Sequence, residues 1–144
     1  MAKVKYITKA KRTWTKQKRQ LIREAFKHAF WEMNLYKLDV HIDIRLVGTP
    51  NAPGACTDAE TKYVVHIDGT QDQEDIVETL FHELQHVVQY ALGYLQDTES
   101  KVYWLGNWYT GDYQDTATSD YWDAPWEVEA RQVAWSMSEN YYQN

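Results

Sequence analysis

The hydropathy pattern predicts an α+β fold, with helices gathered on one face of a small, mostly antiparallel sheet. Three observations carry this expectation. Apolar residues recur at helical spacing in three separate stretches, other segments alternate with period two, and clusters of Gly, Pro, Asn, Asp and Thr divide them.

Taken in order, Lys3–Thr8 alternates weakly through Val4 and Tyr6 and predicts a short first strand. Leu21, Ile22, Ala25, Phe26, Ala29, Phe30 and Met33 then form one stripe. That stripe predicts a helix from about Thr15 to about Asn34, capped by Thr13 or Thr15. Asp39–Val47 sets Val40, Ile42, Ile44 and Leu46 against His41, Asp43 and Arg45, the pattern of a half-buried strand. Gly48–Asp58 is dense in turn residues and predicts a loop, and Thr61–Asp68 predicts another strand. Ile76, Val77, Leu80, Leu84, Val87, Val88 and Ala91 place an amphipathic helix over about Gln73 to Leu92. Asp72, Glu74 and Asp75 suit its N-terminus, and Gly93 suits the position just past its end. The stretch from Gly93 to Pro125 is rich in Trp, Tyr, Gly and Asp, with a short hairpin expected around Val102–Tyr109 and loop beyond. Pro125 then opens a last helix, Trp126 to about Asn140, with Val128, Ala130, Val133, Ala134 and Met137 facing inward.

At 144 residues the chain suits one domain, 1–144, with a core of its own. Its single cysteine, Cys56, excludes an internal disulfide. No apolar run approaches the ~18–20 residues of a membrane span. Met1–Lys9 lacks the apolar stretch of an export signal, so a cytoplasmic protein is expected. Aromatic residues make up 15% of the chain, enough to expect some on the walls of a binding groove. The net charge of −6 is unevenly spread, because residues 1–23 hold nine of the 15 Lys and Arg and no acidic residue. Such a basic arm suits phosphates or an acidic partner, although a solvated helix face pairing with the acidic remainder explains it as well.

The chemistry concentrates in His82-Glu83-Leu84-Gln85-His86, in mid-helix. An i, i+4 pair of histidines puts two imidazoles on one face, where both can ligate zinc. The adjacent Glu83 then lies where a general base is needed. A solvated pair of surface histidines is the plain alternative, and the packed helix around the motif argues against it. Catalytic zinc usually has a third protein ligand. His28, His41 and His66 lie on other predicted elements and suit structural roles, while Glu127 and Glu129 on the last helix offer carboxylates.

Together, His82-Glu83-Leu84-Gln85-His86, Trp104-Leu105-Gly106 and Pro125-Trp126-Glu127-Val128-Glu129-Ala130 resemble small gluzincin-type (HExxH…E) metallopeptidases of phage and bacterial origin. The resemblance runs from about Gly54 to Met137. It implies a zincin-like (minigluzincin) fold, a bound Zn2+, and a third ligand at Glu127, three residues before Ala130. Glu129 lies about 200° further round a helix, so both cannot face one metal. It is the alternative ligand or a supporting residue. Many proteins of this type carry Asp or Asn where this chain has Arg131, a departure from their pattern.

The implied reaction is peptide-bond hydrolysis by a zinc-activated water, with Glu83 as general base. Tyr121, Tyr113 and Tyr109 are the candidate donors to the developing oxyanion, Tyr121 being the one selected. The strand before the motif helix, Tyr63–Asp68, taken as a sheet edge, or its neighbour, is expected to hold a peptide or protein substrate by strand addition. The Trp104, Trp108 and Tyr109 cluster is expected either to line the groove or simply to pack, and Cys56 to be a free thiol. Two rival readings stand beside the enzyme. One is a non-catalytic binding or structural domain held together by zinc. The other is a nucleic-acid-associated protein that uses residues 1–23. Nothing in the chain specifies an oligomeric state.

Overall fold

The computed structural model describes residues 3–8, 15–47, 54–59, 62–98, 101–110 and 119–143. The main sheet has four strands: β1 (Lys3–Thr8), β2 (His41–Val47), β3 (Gly54–Ala59) and β4 (Lys62–Asp68), in the order β1-β2-β4-β3. A helix, α1 (Lys16–Glu32), carries the chain from β1 back to β2, so these two strands run parallel. β2 and β4 are also parallel, with Ile44 opposite Val65. β3 is the antiparallel edge, paired with β4 from Gly54–Ile67 to Ala59–Lys62.

Two expectations are corrected here. The predicted loop over Gly48–Asp58 contains β3, a strand whose small and polar residues carry no alternating apolar signal. Its strand geometry comes from pairing with β4. Residues 48–53 lie outside the described residues. The main sheet is also mixed rather than mostly antiparallel, because the β1–α1–β2 crossover enforces a parallel pair. Among the described residues, the antiparallel majority appears only when both sheets are counted.

α1 begins where Thr15 accepts a hydrogen bond from the Lys18 amide at 3.1 Å, while the other candidate cap, Thr13, lies outside the described residues. α2 (Gln73–Ala91) is capped by Asp72. It ends in a Schellman arrangement: Gly93 has φ +77°, and the Tyr94 and Gly93 amides donate to the carbonyls of Gln89 and Tyr90. One core joins Ile42, Ile44, Leu46, Val65 and Ile67 of the sheet to Ile22, Ala25 and Phe26 of α1 and Ile76, Val77, Leu80, Phe81, Leu84 and Val87 of α2. The last helix, α4 (Pro125–Gln143), adds Ala134 and Met137 to that core. Among the described residues no helix is long and apolar enough to cross a membrane.

A second, three-stranded sheet follows α2: β5 (Leu95–Asp97), β6 (Val102–Trp104) and β7 (Asn107–Tyr109). Its tight turn is Leu105-Gly106, both at positive φ, as a two-residue hairpin of primed type requires. Leu95, Val102 and Trp104 bury Ala124 and Trp126 in a separate small core. Trp126 lies 6.2 Å from the Trp104 ring and 5.3 Å from Tyr109, centre to centre. The predicted Trp104, Trp108 and Tyr109 cluster therefore divides. Trp104 and Tyr109 clamp the first turn of α4, while Trp108 is exposed. A five-residue helix that periodicity missed, α3 (Ser119–Asp123), precedes α4. Residues 111–118 are outside the described region.

Candidate metal centre and cleft

α2 and α4 pack side by side, and the motif histidines face the first turn of α4. His82 Nε2 lies 3.0 Å from Glu127 Oε1, and His86 Nε2 lies 3.0 Å from Glu127 Oε2. Among the described residues these three form the one group of His, Cys, Asp and Glu able to hold a metal ion, their donor atoms within 4.8 Å of one another. The donor set fits the ion. Zinc bonds of about 2.0–2.1 Å in a tetrahedron place ligand atoms about 3.3 Å apart, close to the two histidine–carboxylate separations of 3.0 Å. Two imidazole nitrogens and a carboxylate are also ligands that zinc accepts.

The imidazole of His86 is aimed by a residue that the sequence did not single out. Its Nδ1 donates to Gln89 Oε1 at 2.7 Å, which turns Nε2 toward Glu127. Gln89 is fully buried, and its amide nitrogen donates to the Trp126 carbonyl and to Glu129 Oε1, each at 3.0 Å. Two acceptors on that nitrogen fix the amide's orientation, leaving Oε1 for the histidine. Glu129 also accepts from Gln85 Nε2 at 2.8 Å. Glu129 therefore faces two glutamines of α2 rather than the histidines, and it is Glu127 that joins them. The signal for Gln85 and Gln89 was present as polar residues on a packed helix, one of them three residues after His86.

Glu83 is buried beside this group. Burial raises its carboxyl above the ordinary range; the charges of His86 and His82 oppose the rise, and Glu127 adds to it. Space for the side chain depends on Gly54 at the start of β3. A Cβ there would come within 2.5 Å of Thr79 Cγ2 and 3.0 Å of Glu83 Oε2, too close for any other residue without displacement.

Gly54, Thr79, His82, Glu83 and Glu127 line a cleft of about 400 Å³. Tyr121 of α3 lies in it, half-buried and hydrogen-bonded to Glu127. Burial and the charges of Glu127 and Glu83 hold its hydroxyl well above the ordinary phenol range, with Arg131 opposing, so the proton stays on. The aromatic walls are Trp122 and Trp135, exposed on α3 and α4, rather than Trp104 or Trp108. Tyr109 packs edge-on against Trp126, and Tyr113 lies outside the described residues. β4, expected as an edge, is interior. Its neighbour β3 is the edge strand, and its Gly54 borders the cleft.

The remaining histidines sit elsewhere. His28 packs against Tyr141, its ring centre 5.1 Å away, and His41 Nε2 lies 3.2 Å from the buried Asp43. His66 is on β4, and Cys56 on β3 packs against the main core. Of the basic residues 1–23, Lys16, Arg19 and Arg23 project from α1 into solvent, and Lys9, Lys11 and Arg12 lie outside the described residues.

Without a metal, the His82, His86 and Glu127 group pairs imidazole with carboxylate, and that pairing has a definite pH signature. Burial lowers the affinity of His86 for its proton, but Glu127, Glu83 and Gln89 outweigh it and hold the imidazole up at about 9. Burial likewise raises the Glu127 carboxyl, while His82 and His86 outweigh it and hold the group down at about 2. The raised imidazole contributes stability that is complete below its ordinary 6.5 and lost as pH rises through about 9. The depressed carboxyl contributes stability present above 4.5 and lost as pH falls through about 2. Both shifts describe the same pairing from its two ends. Chelator-treated protein should therefore lose thermal stability between about pH 6.5 and pH 9 by differential scanning calorimetry, and a midpoint flat across that window would rule the pairing out.

No family model, curated protein or solved structure matches this chain.

Proposed function

We propose that this protein is a zinc-dependent metallopeptidase of zincin-like, gluzincin type. One observation carries the reading: His82, His86 and Glu127 converge at 3.0 Å beside a buried Glu83, on the wall of an open cleft. His82, His86 and Glu127 would hold the zinc. When bound, the ion would supply Lewis acidity and lower the pKa of a water molecule.

The chain's own residues account for the remaining needs of hydrolysis. Glu83 is one residue from a ligand, buried, with a carboxyl whose affinity for a proton is raised. It is suited to taking a proton from the attacking water and passing it to the leaving nitrogen. The Tyr121 hydroxyl keeps its proton and can donate it to a developing oxyanion. Gln89 and Glu129 hold the His86 ring in place. β3, the last strand of the main sheet among the described residues, borders the cleft and suits strand addition by an extended peptide, and Trp122 and Trp135 offer apolar walls for its side chains.

A purely structural zinc site serves the described geometry less well. Such a site gains nothing from a buried carboxylate that costs stability, nor from a glycine that makes room for it. The test is direct. Protein purified without added metal should contain about one equivalent of zinc by plasma mass spectrometry and should cleave an unstructured protein such as casein. Cleavage should stop with a chelator and return with zinc. Absence of bound zinc under metal-replete conditions overturns the reading.

A further inference from the structure

We infer that Arg131 is the recognition group for a carboxylate on the substrate, an inference that rests on the peptidase reading of the cleft. Arg131 stands one helical turn beyond Glu127 on α4 and lines the same cleft as His82, Glu83 and Tyr121. Among the described residues lining that cleft it is the one lysine or arginine.

Its guanidinium is held in place from two sides. The Trp122 carbonyl accepts a hydrogen bond from Nη2, and the Trp122 ring lies 5.0 Å from Cζ, within cation–π range. Nη1 is closed off from water and, among the described residues, has no acceptor. An unpaired buried donor on a permanent cation is costly, and an acceptor brought to it would offset that cost. A guanidinium donates strong, charge-assisted hydrogen bonds to a carboxylate, and the prior stacking on Trp122 reduces the entropy lost on binding.

Two sources supply this chemistry: the C-terminal carboxylate of a peptide, or the side chain of an internal Asp or Glu. The probes are N-acetylated tetra-alanine, its C-terminal amide, and amidated Ala-Ala-Glu-Ala and Ala-Ala-Gln-Ala. Each is titrated by calorimetry into the full-length Glu83→Gln protein, with zinc and after chelation. The chelated arm separates recognition by the arginine from direct coordination of a carboxylate to the metal. One charged peptide should bind about ten-fold or more tightly than its neutral counterpart. The pair that discriminates identifies the source.

That preference should vanish with Arg131→Gln and be intermediate with Arg131→Lys, which keeps the charge but loses the planar fork. Arg131→Lys also covers the case in which the glutamine variant fails to fold. An arginine that only ties α3 to α4 would leave the preference unchanged in either variant. Equal binding of both peptides in each pair, or a preference that survives in folded Arg131→Gln, overturns the proposal. The peptidase reading fails separately, through absence of zinc and of cleavage, and the comparison of affinities is unaffected by that result.

Discussion

Glu83→Gln should abolish peptide hydrolysis, lowering kcat/KM by at least about 100-fold, while zinc content stays at the wild-type level. The amide is nearly isosteric, so it fits the space that Gly54 leaves, but it cannot take a proton. The same substitution should raise, not lower, the thermal midpoint of metal-free protein near neutral pH. A carboxyl whose folded-state proton affinity is raised destabilises the fold above its ordinary pKa of 4.5, and a neutral group avoids that cost. Steady-state kinetics, metal analysis and calorimetry on one preparation separate the two effects. Full activity in the variant would remove Glu83 from the chemistry.

Glu127→Ala and Glu129→Ala should behave differently, although the two residues are neighbours in sequence. Glu127→Ala removes the group that both histidines face at 3.0 Å, so stoichiometric zinc should be lost and activity with it. Glu129→Ala leaves the donors in place but removes the acceptor shared by Gln85 and Gln89. Zinc affinity should then fall by about 10–100-fold, with activity restored by excess metal. Competition with a chromophoric chelator measures both. Metal uptake should also release protons below about pH 9, because His86 must give up the proton it shares with Glu127 before it can ligate. Equal zinc affinity in the two variants would show that the choice between the carboxylates is wrong.

The helices were legible in the chain because their cause is local. Stripes such as Ile22, Ala25, Phe26 and Ala29 carry a period of 3.6 whatever surrounds them, and Thr15 and Asp72 mark their starts. The edge strand Gly54–Ala59 was not legible, since Gly, Ala, Cys, Thr and Asp carry no pattern and acquire strand geometry from β4. Parallel pairing was hidden for a related reason: direction depends on the route of the crossover through α1, which no alternation records. The aromatic walls were left open between groove and packing, because Trp104 and Trp122 read alike in composition. Their burial is set by what packs on them.

The candidate centre divides in the same way. The relation of His82, Glu83 and His86 is a property of one helix, because hydrogen bonds within a single turn place residues i and i+4 together. The sequence alone was therefore enough to put two imidazoles and a carboxylate on one element. What it left open lies 41 positions beyond His86, where helical phase excludes Glu127 and Glu129 from sharing a metal without saying which of them turns inward. Tertiary packing decides that. Trp126, buried against Trp104 and Tyr109, sets the rotation of α4. With α4 in that rotation, Glu127 faces the histidines, Glu129 faces Gln85 and Gln89, and Arg131 faces the cleft.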